Sequence, residues 1–175
     1  MPYVAPANLQ PASWPQPSPH LMVYSLAQVD SMVRTIELTF QTKGHTDILD
    51  ITDQVARAVG ASGLREGLAT VFTPSSTSSL TTLEYESGAI ADLRRTLEEI
   101  APANRDYQHN LKWGDGNGSA HLRAALMGPS ITAPVVSGQL ALGTWQQIIF
   151  VDFDNRPRRR TVIVQLVGEQ EQDVA

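Results

Sequence analysis

Hydrophobic and polar residues alternate from Val33 to Thr42, with Ile36, Leu38 and Phe40 on one face and Glu37, Thr39 and Gln41 on the other. A period of two predicts a half-buried strand. Lys43 to Asp47 then reads as a polar turn around Gly44, and Asp50, Ile51, Thr52, Val55, Ala58 and Val59 fit a short amphipathic helix with an acidic start, closed by Gly60 and Gly63. Gly67–Thr73 and Leu80–Tyr85 are compact apolar runs, predicted as two strands joined by Pro74 and the hydroxyl-rich loop Ser75–Ser79. Ser87 is placed to cap a second helix, in which Ile90, Leu93, Leu97 and Ile100 recur at helical spacing before Pro102. A polar loop leads to Trp113-Gly114-Asp115-Gly116-Asn117-Gly118 and a short helix from Ser119 to Met127, stopped by Gly128 and Pro129.

The last quarter is strand-rich. Ile131–Val136, Gln139–Leu142, Trp145–Phe153 and Arg159–Val167 read as strands, with turns at Ser137-Gly138 and at Asp154-Asn155-Arg156-Pro157. No internal repeat and no βαβ rhythm appears. The expected fold class is α+β, a mixed or antiparallel β-sandwich with helices packed at one side.

The first 29 residues contain no Asp, Glu, Lys or Arg and hold six of the eleven prolines. The expected organisation is a proline-rich arm over 1–32, a single domain over 33–170 and a tail over 171–175; 175 residues suit one domain. Prolines interrupt any signal-like apolar run in the arm, and its Tyr3, Val4, Trp14, Leu21 and Tyr24 favour packing on the domain or a neighbouring subunit. A net charge of −5 argues against a dedicated nucleic-acid binder. With no cysteine there is no disulfide framework and no thiolate chemistry, in keeping with a cytoplasmic location. No stretch has the roughly 20 apolar residues of a membrane-spanning helix, so no membrane partner is expected.

The strongest chemical signal is the stretch from Asp106 to His121. Three glycines in five residues let the backbone turn tightly and expose amides, and the helix that follows aims its free N–H groups at the same place, a combination that suits an anion. A loop whose Asp115 and Asn117 satisfy only local donors fits the same pattern. His109 and His121 flank the loop with Asp115 midway between them. Two imidazoles and a carboxylate can bind a divalent metal, zinc or magnesium, or divide acid and base roles; each histidine alone also fits a packed structural position. Hydroxyls of Ser75–Ser79 offer donors to a phosphate or simply a polar connection. Glu84 and Glu86, two apart, share a face if their strand continues. Arg156, Arg158, Arg159 and Arg160 form either a phosphate-facing cluster, beside a turn and away from the glycine loop, or a charged guard on a strand edge.

Several blocks in order resemble the YjbQ-like family, also called the secondary thiamine-phosphate synthase family, over Val33 to Glu169. They are His109-Asn110, Trp113 to Gly118, His121 to Leu126, Gly128-Pro129-Ser130, Leu142 to Gln147 and Asp152 to Arg160. The resemblance implies a fold built around a β-sandwich, a homotrimer, and a polar site lined by histidines and acidic residues. It also implies weak thiamine-phosphate synthase activity in some members, joining a pyrimidine pyrophosphate to a thiazole phosphate. The matched site positions are His109, His121, Asp115 and Glu84 as candidate catalytic residues. Thr77, Asn117, Gly118, Trp145 and Gln146 are candidate ligand-binding residues, with His109 and His121 as metal ligands. Two positions depart from the family: Ser75-Ser76-Thr77 replaces His-Thr-Thr or Gly-Ser-Thr, and Ser119 stands where a histidine is common, a missing imidazole expected to weaken metal binding. A small phosphorylated ligand is the expected partner, and a non-catalytic oligomeric binding protein with a diverged site is the rival expectation.

Overall fold

The computed structural model describes residues 31–170, so the tail and the arm up to residue 30 lie outside the described residues; Ser31 and Met32, expected in the arm, open the first strand, and Met32 is buried in the core. The chain runs β1 (Ser31–Thr42), β2 (Asp47–Asp50), α1 (Thr52–Ser62), β3 (Leu64–Phe72), β4 (Ser78–Leu83), α2 (Ser87–Ile100), α3 (Gln108–Trp113), α4 (Gly118–Met127), β5 (Ser130–Val136), β6 (Gln139–Leu140), β7 (Gln147–Asp152) and β8 (Arg158–Gln170). The strands form a five-stranded sheet, β1-β8-β3-β5-β6, and a three-stranded sheet, β2-β7-β4, and every pairing is antiparallel. The fold is therefore α+β, as expected.

Alternation decides what each sheet buries. Val162, Val164 and Leu166 of β8 point inward with Ala69 and Val71 of β3 and Val135 of β5. They meet Ile148 and Phe150 of β7 across the sandwich, where the rings of Phe40 and Phe150 stack at 6.2 Å. Val55 and Val59 of α1 join this core. The alternate residues of β7, Ile149 and Val151, face the other way onto Leu97 of α2 and Ala120 and Ala124 of α4. Thus β7 is covered on both faces, by the five-stranded sheet and by helices, and an apolar run rather than an alternation results. Among the described residues, no helix is long and apolar enough to cross a membrane.

Four local readings change. Asp47–Asp50 is a strand on β7, where the sequence suggests the end of a turn at Asp47 and the start of the helix at Asp50. α1 runs through Gly60 to Ser62 and ends only at Gly63, which is left-handed at φ 79°. Gln108–Trp113, within the expected polar loop, is the helix α3, whereas the hydroxyl-rich loop joins β3 and β4 as expected and leads from one sheet to the other. Glu86, not Ser87, caps α2: its carboxylate accepts from the backbone N–H groups of Gly88, at 2.7 Å, and Ala89.

Candidate functional site

The Asp106–His121 stretch folds as helix, loop, helix. Gly114 closes α3 in the left-handed region, at φ 68°, with its N–H bonded to Asn110 O at 2.8 Å. Gly118 opens α4 so close to α3 that a Cβ there would lie 2.5 Å from Tyr107 Cβ. The two short helices are pressed together, and their histidines become neighbours. Ring centroids of His109 and His121 are 4.3 Å apart, and His109 Nε2 lies 3.2 Å from Asp115 Oδ2. One ligand atom from each of His109, Asp115 and His121 lies within 4.8 Å of the others. The hydrogen bond from the Asn117 N–H holds the Asp115 carboxyl below its ordinary pKa; desolvation opposes it, and the His109 bond and both imidazole charges assist.

The glycine loop does not offer all its amides to an anion, as the sequence suggests. The Asn117 N–H is taken by Asp115 Oδ1 at 3.1 Å and the Gly118 N–H by Asn110 Oδ1 at 2.8 Å. Asn155 ties the loop to the β7–β8 turn: its Nδ2 donates to Asp115 O at 2.7 Å, and its N–H to Asn117 Oδ1 at 3.2 Å.

The opposite wall comes from Ser75–Thr77 and the start of β8, enclosing with Asp115, Asn117 and His121 a cleft of about 380 Å³. Arg160 crosses beneath it. Its Nε and Nη2 each donate to Asp152 at 2.7 Å, a bidentate pair with a carboxylate that is wholly buried, and Nη1 and Nη2 reach Ser75 Oγ at 3.0 Å and Thr77 Oγ1 at 2.8 Å. Thr77 in turn donates to Asp154 Oδ2 at 3.1 Å. Arg158 Nε lies 3.0 Å from the same oxygen, and Asp154 Oδ1 is buried with no partner among the described residues. Burial works to raise the Asp154 pKa, but the Arg158 guanidinium, the Thr77 hydroxyl and the Arg160 charge outweigh it and hold the carboxyl below its ordinary value. The four-arginine cluster is therefore split. Alternation along β8 turns Arg159 outward from Arg158 and Arg160, which enter the cleft beside the glycine loop. Arg156 is exposed in the turn before the strand, where it lines a neighbouring cavity with Asp115 and Asn117.

Glu84, Trp145 and Gln146 are not brought to the histidines. β4 and β7 pair Ser78 with Asp152 at the cleft end and Leu83 with Gln147 at the other. Thr77 and Glu84 are therefore roughly 20 Å apart along the strand. Glu84 and Trp145 line a separate cavity with Asp50, and Gln146 donates to Thr82 Oγ1 at 3.3 Å. Ser119, two residues before His121 on α4, faces another cavity on the far side of the helix, with Arg94 and Arg123. The residues that the sequence reading missed are Asp152, Asp154 and Asn155. Their signal was legible as Asp-x-Asp leaving one strand and Arg-x-Arg entering the next, both with period two.

The model of the UPF0047 protein YjbQ-like family matches residues 36–169. The chain belongs to the YjbQ-like UPF0047 family. Among its relatives, a UPF0047 protein of Archaeoglobus fulgidus is 46% identical over 129 residues, covering 74% of this chain and 98% of that protein. One from Methanothermobacter thermautotrophicus is 39% identical, over 78% of this chain and 94% of its own length. A crystal structure of a YbjQ-like protein of unknown function from Sulfolobus solfataricus superposes with a TM-score of 0.76 at 33% identity, covering 79% of this chain and 99% of that one. The YjbQ-like match begins at Ile36, within β1, and takes in the cleft residues named above from Ser75 to Arg160.

Proposed function

We propose that this protein binds a small phosphorylated ligand in the cleft between Ser75–Thr77 and His121, with a divalent cation held by His109, Asp115 and His121. The observation that carries this reading is the meeting of two imidazoles and a carboxylate within 4.8 Å at the edge of an open cleft. Three protein ligands with one side open is the donor set of a catalytic rather than a structural zinc site, and two imidazoles favour zinc over magnesium. A bound divalent cation supplies Lewis acidity toward phosphate oxygens. The cleft needs that charge, because its own cations are already matched: Arg160 by Asp152, and Arg158 by Asp154. Asp115 orients His109, and the unpartnered Asp154 Oδ1 is an acceptor for a ligand hydroxyl or water.

On this reading, the thiamine-phosphate synthase turnover that the family resemblance implies is weak and secondary. Departure of pyrophosphate calls for free, well-placed cations, and both cleft arginines are paired. Titration calorimetry with zinc and magnesium tests the reading. Zinc binds the parent and is lost in His109→Ala and His121→Ala, and phosphate binds the cleft only with zinc present; equal zinc affinity in all three proteins refutes it.

A second reading, assembly as a homotrimeric binding protein, is supported by large apolar side chains left bare: Leu111 is 74% exposed, Trp145 71% and Trp113 66%. Light scattering that gives three times the monomer mass supports it, and a monomer mass at all concentrations refutes it. A cytoplasmic location completes the proposal, in line with the cysteine-free sequence.

A further inference from the structure

A cavity of about 530 Å³, larger than the cleft, lies on the far side of the glycine loop from the histidine pair. Three arginines, Arg94, Arg95 and Arg123, line it against one carboxylate, Glu98, in a chain whose net charge is −5. Arg123 is buried and fully committed. It donates to Ala101 O at 2.9 Å and 2.7 Å and to Thr46 Oγ1 at 2.9 Å, and it pairs with Glu98, so these two charges cancel. Arg95 leans on Asp92 in an exposed pair. Arg94 differs: its Nε donates to Thr46 O at 3.2 Å, and among the described residues no carboxylate pairs with it.

The backbone that receives Arg94 is strained. Gly44, His45 and Thr46 follow one another at φ 73°, 52° and 61°. Left-handed φ costs on the order of 1 kcal/mol or more at each non-glycine residue and is most unusual for a β-branched threonine. Only glycine fits at 44, where a Cβ would lie 2.5 Å from Asp154 O. The turn is held from three sides: the His45 N–H bonds Asp154 O at 2.7 Å, Arg94 takes the Thr46 carbonyl, and Arg123 takes the Thr46 hydroxyl. This conformation sets His45 on the cavity wall. Ser119 lines the same cavity from the first turn of α4.

We infer that this cavity is a second binding site, for a small phosphate-bearing molecule held by Arg94 with Ser119 and His45. The surplus positive charge selects an anion, and the planar guanidinium fork matches phosphate oxygens. The volume is that of an ordinary small-molecule pocket. Strained backbone over-determined by its surroundings is characteristic of such sites. The site goes beyond the metal reading and does not depend on it, because Gly116 and Asn117 separate the cavity from the cleft.

Titration of metal-stripped, full-length protein with pyrophosphate and with inorganic phosphate tests the inference. Pyrophosphate binds the parent, Arg94→Gln weakens it about tenfold, and His109→Ala binds like the parent. Arg94→Gln also removes one of the three bonds that hold the turn, so its melting temperature is read alongside; where that falls, Ser119→Ala decides in its place, with weaker binding expected. Unchanged affinity in the Arg94 variant, loss of binding in His109→Ala, or no binding of either anion by the parent overturns the inference. Loss in His109→Ala would place the anion in the cleft, and loss of zinc binding alone would bear only on the metal reading.

Discussion

Arg160 grips Asp152 with two hydrogen bonds of 2.7 Å, across the turn that joins β7 to β8, and Asp152 has no exposed surface. Thr42 Oγ1 also donates to this carboxylate, at 2.5 Å. Because β1 and β8 pair Thr42 with Arg158, one carboxylate fastens the five-stranded sheet to the end of β7.

Arg160→Met strands that buried charge. The variant is expected to lose about 3–5 kcal/mol of stability, read from urea unfolding at neutral pH. Arg160→Lys recovers only part of the loss, since an ammonium cannot form the fork. A midpoint equal to the parent's in Arg160→Met contradicts this account.

Acid should destabilise the fold through Asp154. The folded Asp154 pKa lies below its ordinary 3.8, so the ionised carboxylate stabilises the fold. Its contribution is fully present above that value and is lost as pH falls through the lower folded value. Thermal melts at neutral pH and near pH 3 therefore show a drop in the parent. Asp154→Asn, less stable at neutral pH, shows a smaller drop.

Glu86→Ala removes acceptors from two N–H groups at the start of α2, whereas the neighbouring Ser87 has no such role. Urea midpoints are expected to fall for Glu86→Ala and to stay near the parent's for Ser87→Ala. The reverse order would return the cap to the serine.

Ser119→His places an imidazole on α4 at the family's usual position. Two residues along a helix turn the side chain to another face, and Ser119 lines the arginine cavity rather than the cleft. The expected zinc affinity is therefore that of the parent. This reverses the sequence-based expectation that the missing histidine weakens the metal site, and a gain of more than about tenfold in zinc binding would restore that expectation.

Legibility in the sequence followed periodicity. β1 and α2 were clear because each turns one partly buried apolar stripe toward the core, although Ile100 at the end of the α2 stripe is exposed. α3 was not, since none of its six residues is buried and its polar sequence has no stripe. β2 escaped because four residues carry too little alternation, and β7 alone specifies it as a strand. The histidine pair was legible through its shared glycine loop. The grouping of Glu84 and Trp145 with that pair was carried by family likeness, and strand length separates them. The acidic partners of Arg158 and Arg160 went unnoticed because arginines adjacent in sequence were read as one patch, although a strand turns alternate residues to opposite sides.

With β7 covered by a sheet on one face and by helices on the other, its amides have no local route to solvent. Hydrogen exchange there requires opening of the whole molecule, so these protons should be the last to exchange. Asp152 is the final residue of that strand, and Asp154 follows it by two. The cleft's acidic floor is thereby mounted on the slowest-opening part of the chain, while α3, with no buried residue, is free to fray. Any motion that admits a ligand would then belong to His109 and its helix, against a floor that stays still.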